Sequence, residues 1–341
     1  MMSASSSSRK SRKAISSSQV FYKNAVYFPN YRLYGGDTPG SLNYSCISTV
    51  YYCFASISAD GGVFLSDEYA DVRAPCDGVS GGLGSLMHLK QKHPHLQVIL
   101  SIGGGGSGQM FANIAASPIL RDNLARSARG LVEASGLDGL DIMWQDPQQG
   151  SGFLALIAAI RLYLPEEHYL LTAALPCSSS VLANIDVRRA ADYLDLLNLF
   201  YGAWASISGH HAQLYSSGKD SDTSGSSSVS YLIAQGFPAK KILLGIPVFG
   251  RSFLGVAGPG HRFKGVGGNN GEFEYNELPR KGTKEQVDKK ACAAYCVGGD
   301  GGFVSYDNPE TGLFYWTAPA DSKDAARSLV AAGFRALHSS R

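Results

Sequence analysis

The sequence predicts an α/β fold in which eight parallel strands and their connecting helices form a closed (β/α)8 TIM barrel. Apolar runs of strand length recur eight times, and most are rich in Val, Ile, Leu and Tyr, as is typical of parallel strands buried on both faces. Segments between the runs, such as Leu120–Ser135 and Gly152–Leu164, repeat their apolar residues at a helical spacing of about 3.6. This alternation predicts the barrel, with a doubly wound open sheet as the alternative.

The predicted strands follow one another along nearly the whole chain, and a length of 341 residues suits one large α/β domain. Their ranges are Ala25–Phe28, Val50–Phe54, Val98–Ile102, Leu137–Trp144, Leu170–Leu175, Leu194–Phe200, Ile242–Pro247 and Leu313–Trp316.

Some segments interrupt this alternation. Residues 253–308 are rich in Gly and aromatic residues and too long for a simple crossover, so they predict a small α+β insertion between strands 7 and 8. Ser216–Ser230 predicts a surface loop, and Ser322–His338 predicts a closing helix. Residues 1–20 are Ser-rich and basic and lack the apolar stretch of a signal peptide. They predict a disordered leader before a single domain at 21–341.

The composition argues against several classes of partner and cofactor. With 30 basic and 28 acidic residues, the formal net charge is +2, so we expect no nucleic acid and no anionic membrane as partner. The six cysteines permit disulfides without requiring them, and no CxxC pair indicates a zinc site. SIGGGGSG contains the dinucleotide pattern G-x-G-x-x-G, but the acidic residue that follows, Asp122, falls in a helical stretch instead of at a strand end. We therefore predict no cofactor.

The fourth predicted strand, within LDGLDIMWQDP at residues 137–147, raises the main question about function. Because side chains alternate along a strand, Asp141, Met143 and Gln145 are predicted to point into the barrel toward its C-terminal mouth. Trp144 has the opposite parity and is predicted to pack outside. The spacing of these residues is that of an acidic active site. The amide of Gln145, however, cannot deliver a proton at neutral pH, and the thioether of Met143 cannot share one.

An ordered series of motifs accompanies this strand. It comprises NAVYFPNYRLYGG, YYCFASISADGG, LQVILSIGG, LDGLDIMWQ, LDLLNLFYGAW, KILLGIPVFGRSF and GLFYW. From Asn24 to His338 the chain resembles family 18 glycoside hydrolases of the fungal chitinase type. LDGLDIMWQ is similar to the signature Asp-Gly-x-Asp-x-Asp-x-Glu of that family.

The resemblance implies a retaining, substrate-assisted mechanism. The final Glu of the signature protonates the glycosidic oxygen, the N-acetyl group of the substrate attacks the anomeric carbon, and the middle Asp orients that group. In the Asp-x-Asp-x-Glu part of the signature, which carries the three chemical roles, Asp141 is the first Asp by position, Met143 replaces the middle Asp, and Gln145 replaces the acid. We therefore predict that the chain has no catalytic residues and is not an enzyme.

The chain departs from the family at further positions. Gly105 replaces a Trp after strand 3, and Tyr201 is followed by Gly202 where the family has an Asp. Phe249 and Asp146 each replace a tyrosine. The helix that the family has between SYDNPE and GLFYW is missing, which raises the question whether the barrel closes regularly.

The resemblance also implies a sugar-binding lining that needs no acid. Its predicted members are Tyr27, Phe54, Asp141, Gln145, Tyr201, Trp204, Arg251 and Trp316. Trp316 either forms the floor under a sugar or belongs to the core, and Trp204 lies either in the groove or in the core. Gln145 either contacts the sugar or is a tolerated polar residue. Arg251 either lines the groove or forms a salt bridge.

We therefore predict a catalytically inactive chitinase-like protein that binds chitin or N-acetylglucosamine oligomers. Fungal pathogens use such proteins as effectors that hold chitin fragments away from plant immune receptors, so the resemblance implies an extracellular, secreted protein. The alternatives are a protein-binding scaffold or glycosidase inhibitor on a decayed chitinase fold, and a chitinase with weak residual activity. No pattern specifies a protein partner.

His210 and His211 are predicted to be solvated loop residues.

Overall fold

Parallel strands form a barrel at the centre of the molecule. The computed structural model describes residues 23–201, 206–216, 224–309, 315–316, 318–324 and 326–339, so the predicted leader lies outside the described residues. The strands in chain order are β1 (Ala25–Pro29), β2 (Thr49–Ile57), β3 (Val63–Leu65), β4 (Pro75–Cys76), β5 (Val79–Ser80), β6 (Gln97–Gly103), β7 (Gly139–Met143), β8 (Leu170–Pro176), β9 (Leu196–Phe200), β10 (Ile242–Leu244), β11 (Ile246–Pro247), β12 (Phe249–Phe253), β13 (Glu272–Glu274), β14 (Gln286–Asp288), β15 (Ala293–Gly298), β16 (Gly302–Tyr306) and β17 (Tyr315–Trp316).

The barrel closes through a seventh strand that is divided in two. Its strands pair in the order β10, β9, β8, β7, β6, β2, β1, β17, β11. β10 and β11 are the two halves of the predicted strand Ile242–Pro247, separated at Gly245. β10 pairs with β9, β11 pairs with β17, and β17 pairs with β1. The predicted (β/α)8 barrel is therefore confirmed, and the short connection before the last strand does not prevent its closure.

The fourth barrel strand, β7, presents alternate residues to the two sides of the barrel wall. Leu140, Ile142 and Trp144 belong to the outer core, which lies between the strands and the helices. Met143 belongs to a smaller apolar cluster inside the barrel, and Asp141 is fully buried with hydrogen-bond partners on β1, β6 and β8. The predicted orientations of these side chains are confirmed.

The helices of the described residues surround this barrel. They are α1 (Gly82–Lys92), α2 (Gly108–Ala116), α3 (Pro118–Ala134), α4 (Gly150–Tyr163), α5 (Ser179–Leu182), α6 (Val187–Ala190), α7 (Gly225–Ala234) and α8 (Leu329–Ser339). α3 and α4 confirm the helices predicted at Leu120–Ser135 and Gly152–Leu164. α3 begins after Ser117, whose hydroxyl accepts a hydrogen bond from a backbone N–H of the first turn.

Part of the predicted surface loop Ser216–Ser230 is helical instead. α7 begins at Gly225 because Ser224 and Ser227 form a reciprocal cap. The Ser227 N–H donates to Ser224 Oγ at 3.2 Å, and the Ser224 N–H donates to Ser227 Oγ at 3.1 Å. These serines therefore start a helix, although a Ser-rich composition is also typical of loops.

The closing helix is shorter than the predicted Ser322–His338, because α8 begins only at Leu329. The Asp321 carboxylate accepts hydrogen bonds from the backbone N–H groups of Leu329 at 2.9 Å and Val330 at 3.2 Å. A carboxylate that satisfies the free N–H groups of a first turn fixes the start of a helix there.

The insertion between the last two barrel strands is a second, antiparallel sheet. Its strands follow the order β13, β12, β16, β15, β14 and occupy the chain from Phe249 to Tyr306. Its helical part is the 3₁₀ turn Tyr275–Glu277. An ion pair between Arg32 and Glu274 links this sheet to the chain that follows β1. Because β12 starts directly after β11, the sheet lies at the C-terminal mouth of the barrel.

None of the six cysteines, all of which lie within the described residues, forms a disulfide bond. No helix within the described residues combines the length and the apolar character needed to cross a membrane.

Candidate functional site

A cleft of about 500 Å³ opens at the carboxyl ends of the barrel strands. Active sites of (β/α)8 barrels lie at this end, and the volume falls in the range of about 300–1,000 Å³ found for small-molecule sites. The cleft is lined by Tyr27, Phe54, Gly105, Met143, Gln145, Asp146, Gln148, Ala174, Pro176, Ser178, Ser180, Val181, Asn198, Phe200, Tyr201, Gly245, Ile246, Pro247 and Phe249.

The lining carries little formal charge. Among the described residues that form it, Asp146 is the only carboxylate, and none is Lys, Arg or His. The other polar side chains are amides and hydroxyls, and the lining also contains aromatic rings. This combination suits a neutral ligand that has hydroxyl groups and apolar faces.

Below the cleft, Asp141 accepts hydrogen bonds from three hydroxyl groups. Tyr27 Oη donates to Oδ2 at 3.0 Å, Ser101 Oγ donates to Oδ2 at 2.6 Å, and Thr172 Oγ1 donates to Oδ1 at 2.6 Å. Burial raises the pKa of Asp141, and the hydroxyl donors act in the opposite direction. Asn198 Nδ2 in turn donates to Tyr27 Oη at 3.0 Å. The carboxylate is therefore held by the barrel wall and is not part of the cleft surface.

Met143 lies one inward-facing position nearer to the mouth and does form part of the cleft surface. Its side chain is only 5% exposed and packs in the inner apolar cluster. On the neighbouring strands it lies opposite Gly103 and Ala174. The position above Asp141 is consequently apolar.

Gln145 follows the end of β7 and lies exposed in the cleft wall. Asp146 and Gln148 line the same wall, and Gln148 Nε2 donates to Asp146 Oδ2 at 2.5 Å. The amide of Gln145 can donate and accept hydrogen bonds from a ligand but cannot transfer a proton to it at neutral pH.

Sequence comparisons identify the origin of this cleft. The family described as glycosyl hydrolases family 18 matches residues 23–312. Chitinase 1 of Aphanocladium album is 30% identical over an alignment of 364 positions that covers 93% of this chain and 86% of that relative. Endochitinase 1 of Metarhizium robertsii is 31% identical over an alignment of 343 positions that covers 92% of this chain and 79% of that relative. The chain belongs to glycosyl hydrolase family 18.

Solved structures share the barrel of this family 18 member. The Group IV chitinase of Ostrinia furnacalis in complex with allosamidin matches with a TM-score of 0.83 and 22% identity, over 94% of this chain and 99% of that chain. The GH18 chitinase of Cycas revoluta in complex with (GlcNAc)3 matches with a TM-score of 0.76 and 24% identity, over 92% of this chain and 98% of that chain. At these identities the likeness establishes the fold.

Four residues of the lining predicted from family 18 lie in the cleft wall, namely Tyr27, Phe54, Gln145 and Tyr201. The Tyr201 hydroxyl, however, donates to the backbone carbonyl of Gln213 at 3.4 Å, and burial raises its pKa. It therefore supports the chain that follows β9 in addition to lining the cleft.

Of the other four predicted residues, Asp141 lies below the cleft, and Arg251 is also not part of its wall. Arg251 is 4% exposed and does not line the cleft, and its Nη1 donates to Glu272 Oε1 at 2.8 Å. Of its two alternatives, the structure therefore contains the salt bridge. Trp316 lies opposite Pro247, a cleft residue, but only the backbone of Trp316 is described. Trp204 lies outside the described residues.

Sequence reasoning overlooked Asn198 and Phe200, which also line the cleft. Asn198 is a polar residue within the apolar strand LDLLNLFYG, and its spacing of two from Phe200 places both on one face. A buried polar residue on an inward face was the available signal. Gly105, Asp146 and Phe249, where the chain departs from the family, all lie in the cleft wall.

The prediction that His210 and His211 are solvated is wrong. The ring nitrogens of His210 lie 3.2 Å from Ser305 Oγ and 3.3 Å from Asp288 Oδ2, so the side chain is held by the second sheet. The ring of His211 packs against Phe249 with a centroid distance of 4.9 Å. Burial lowers the pKa of His211 to about 3. Their polar sequence surroundings gave no sign that the second sheet covers this segment.

Proposed function

We propose that this protein binds chitin oligosaccharides in the barrel cleft and does not hydrolyse them. Chitin is an uncharged polymer, and the nearly neutral lining suits it. The rings of Phe54, Phe200 and Phe249 form part of the cleft wall, and aromatic rings stack on the apolar faces of sugar rings. The exposed amide of Gln145 provides a donor and an acceptor for hydroxyl and acetamido groups, whereas the amide of Asn198 is buried and already bonded to Tyr27 and Tyr51. Membership in family 18 and the chitinase names of its relatives support this ligand class.

The proposed absence of hydrolysis rests mainly on the amide at Gln145. It lies in the cleft wall, two residues beyond Met143, where the family signature has its acid. An amide holds a glycosidic oxygen by a hydrogen bond but does not protonate it. Loss of a general acid alone costs about 10²–10⁴ in rate.

Met143 removes a second chemical role. Its thioether gives an acetamido N–H no useful acceptor, so the acetamido group would not be oriented for attack. Asp141 does not compensate, because turning it toward a substrate would leave buried hydroxyl donors unpaired. Each unpaired donor would cost about 1–3 kcal/mol.

Titration calorimetry with a hexamer of N-acetylglucosamine tests binding. We expect saturable binding that Phe54→Ala weakens by about threefold to tenfold, because stacking contributes about 0.5–1.5 kcal/mol. Phe64→Ala makes the same change at a side chain that is 49% exposed and outside the cleft, so it is the matched control. Absence of heat at millimolar hexamer would eliminate the sugar-binding proposal.

A fluorogenic chitobioside tests the absence of turnover. The specific competing function is a weak residual chitinase in which Asp146, the only carboxylate among the described lining residues, replaces the acid. We expect no turnover by the purified protein. Turnover that Asp146→Asn abolishes would establish this competing function instead.

A protein-binding scaffold or glycosidase inhibitor is the second alternative. Gly105 favours it, because glycine provides no ring where the family has a Trp, and the sugar platform is smaller as a result. Failure of the hexamer to bind, together with inhibition of a purified chitinase by this protein, would support it.

A protein that sequesters chitin fragments must bind them without cleaving them. We therefore extend the proposal to sequestration of chitin fragments outside the cell. A stoichiometric excess of the protein should prevent a chitin hexamer from binding to the purified ectodomain of a plant chitin receptor. Undiminished binding of the hexamer to the ectodomain would contradict this extension.

A further inference from the structure

Asp146 brings an uncompensated negative charge to the cleft. Its side chain is exposed and lies in the cleft wall next to Gln145. Oδ2 accepts the hydrogen bond from Gln148 Nε2, and within the described residues Oδ1 has no hydrogen-bond partner and the carboxylate forms no ion pair. Exposed carboxylates are ionised at neutral pH. A ligand in the cleft therefore meets a carboxylate that still has an acceptor site available.

The rest of the cleft does not offset this charge. No Lys, Arg or His occurs among the described lining residues, and the neighbouring Gln145 is neutral. Within the described lining, the carboxylate of Asp146 is therefore not neutralised by a cation. A neutral sugar gains little from such a carboxylate, whereas a cationic group gains both a Coulomb attraction and a charge-assisted hydrogen bond.

Among the described lining residues, no carboxylate lies at the floor of the cleft to bind an acetamido group. Met143 presents an apolar surface there, and Asp141 is engaged by hydroxyl groups below it. Neither Met143 nor Asp141 therefore offers an ionic or strong polar contact that would favour a sugar with an acetyl group over one without it. A sugar unit without its acetyl group carries a free ammonium, and it encounters no cation among the lining residues described.

We propose that the cleft prefers partially deacetylated chitin, in which the ammonium of a glucosamine unit pairs with Asp146. This inference rests on the proposed binding of chitin oligosaccharides and specifies which chemical form is bound most tightly. An exposed pair of this kind should raise affinity by about fivefold at low ionic strength, which corresponds to about 1 kcal/mol. The preference should decrease as salt increases, because charges near the surface are screened.

Calorimetry with two hexamers provides the test. One hexamer is fully acetylated and the other is partially deacetylated, and the ratio of their affinities is measured for each protein at low and at high salt. We expect the ratio to favour the deacetylated hexamer in the native protein and to fall by about fivefold in Asp146→Asn. Glu166→Gln removes one exposed carboxylate outside the cleft and is the control for net charge.

The outcomes separate the two proposals. If both hexamers bind and the ratio is the same in the native protein and in Asp146→Asn, the role of Asp146 is overturned and the binding function stands. An equal fall of the ratio in Glu166→Gln would also overturn it, because the effect would then come from net charge. If neither hexamer binds, the proposed function itself fails.

Discussion

Tyr27 on β1 and Asp141 on β7 are joined by a hydrogen bond of 3.0 Å inside the barrel, although they are separated by 114 positions in the chain. Both residues are buried, and Ser101 and Thr172 donate to the same carboxylate from β6 and β8. Asp141, an acid of the family signature, therefore connects four strands. In this protein Asp141 has a structural role that does not depend on chemistry in the cleft.

Asp141→Ala should destabilise the fold strongly. It leaves three buried hydroxyl groups without their acceptor, and we expect the free energy of unfolding to fall by about 3–5 kcal/mol. Urea denaturation measures the change. Asp146→Ala removes an exposed carboxylate from the same chain segment and should change the free energy of unfolding by less than about 0.5 kcal/mol. A loss below about 1 kcal/mol in Asp141→Ala would contradict the structural role.

Gln145→Glu should not restore hydrolysis. The change supplies a carboxyl group at the position of the acid, but Met143 still provides no group to orient an acetamido or to exchange a proton with Asp141. We expect no release of fluorophore from a chitobioside above the level of the native protein. Calorimetry with the hexamer shows whether the variant still binds. Measurable turnover would mean that the middle position matters less than the acid.

Gly105→Trp should strengthen binding of the N-acetylglucosamine hexamer. A Cβ atom at Gly105 would meet no heavy atom within 4 Å, and the residue does not have a positive φ, so a side chain is accommodated. The indole would restore an aromatic surface in the cleft, and we expect an affinity gain of about threefold to tenfold by calorimetry.

The matched control for this variant is Gly108→Trp. Gly108 also has open space around its Cβ position, but it lies at the start of α2 and does not line the cleft. Equal gains in both variants would indicate non-specific adsorption of the sugar. No gain in Gly105→Trp would mean that the bound sugar does not reach this part of the wall.

The strands and the orientation of the site could be predicted because both depend on local patterns. The period of two along β7 was sufficient to place Met143 inside and Trp144 outside, where Trp144 stacks on Phe111 with a centroid distance of 5.3 Å. The burial of Arg251 against Glu272 depends on the pairing of β12 with β13 across the intervening segment 254–271, and no local pattern reports it. The residues Met143 and Gln145 at two signature positions were therefore visible in the sequence, whereas the surroundings of the cleft were not.

Because His211 is buried, we expect the free energy of unfolding to decrease at acid pH. Burial, reinforced by the positive charge of Arg251, lowers the pKa of its ring from 6.5 to about 3 in the folded protein. Between these two values the unfolded chain binds more protons at this site than the folded chain does. The free energy of unfolding should therefore fall as pH decreases from about 6.5 toward 3, by up to about 1.4 kcal/mol per pH unit from this residue.

His211→Phe should reduce this dependence, because a phenyl ring can keep the packing against Phe249 and has no proton to gain. Urea denaturation at a series of pH values from 7 to about 4 measures the slope for the native protein and the variant. Burial also lowers the pKa of His210, although the charge of Asp288 opposes this, so part of the acid dependence should remain in the variant. His168→Gln removes an exposed imidazole and is the control. If the native protein and His211→Phe lose stability with the same slope, His211 is not the group that makes this fold sensitive to acid.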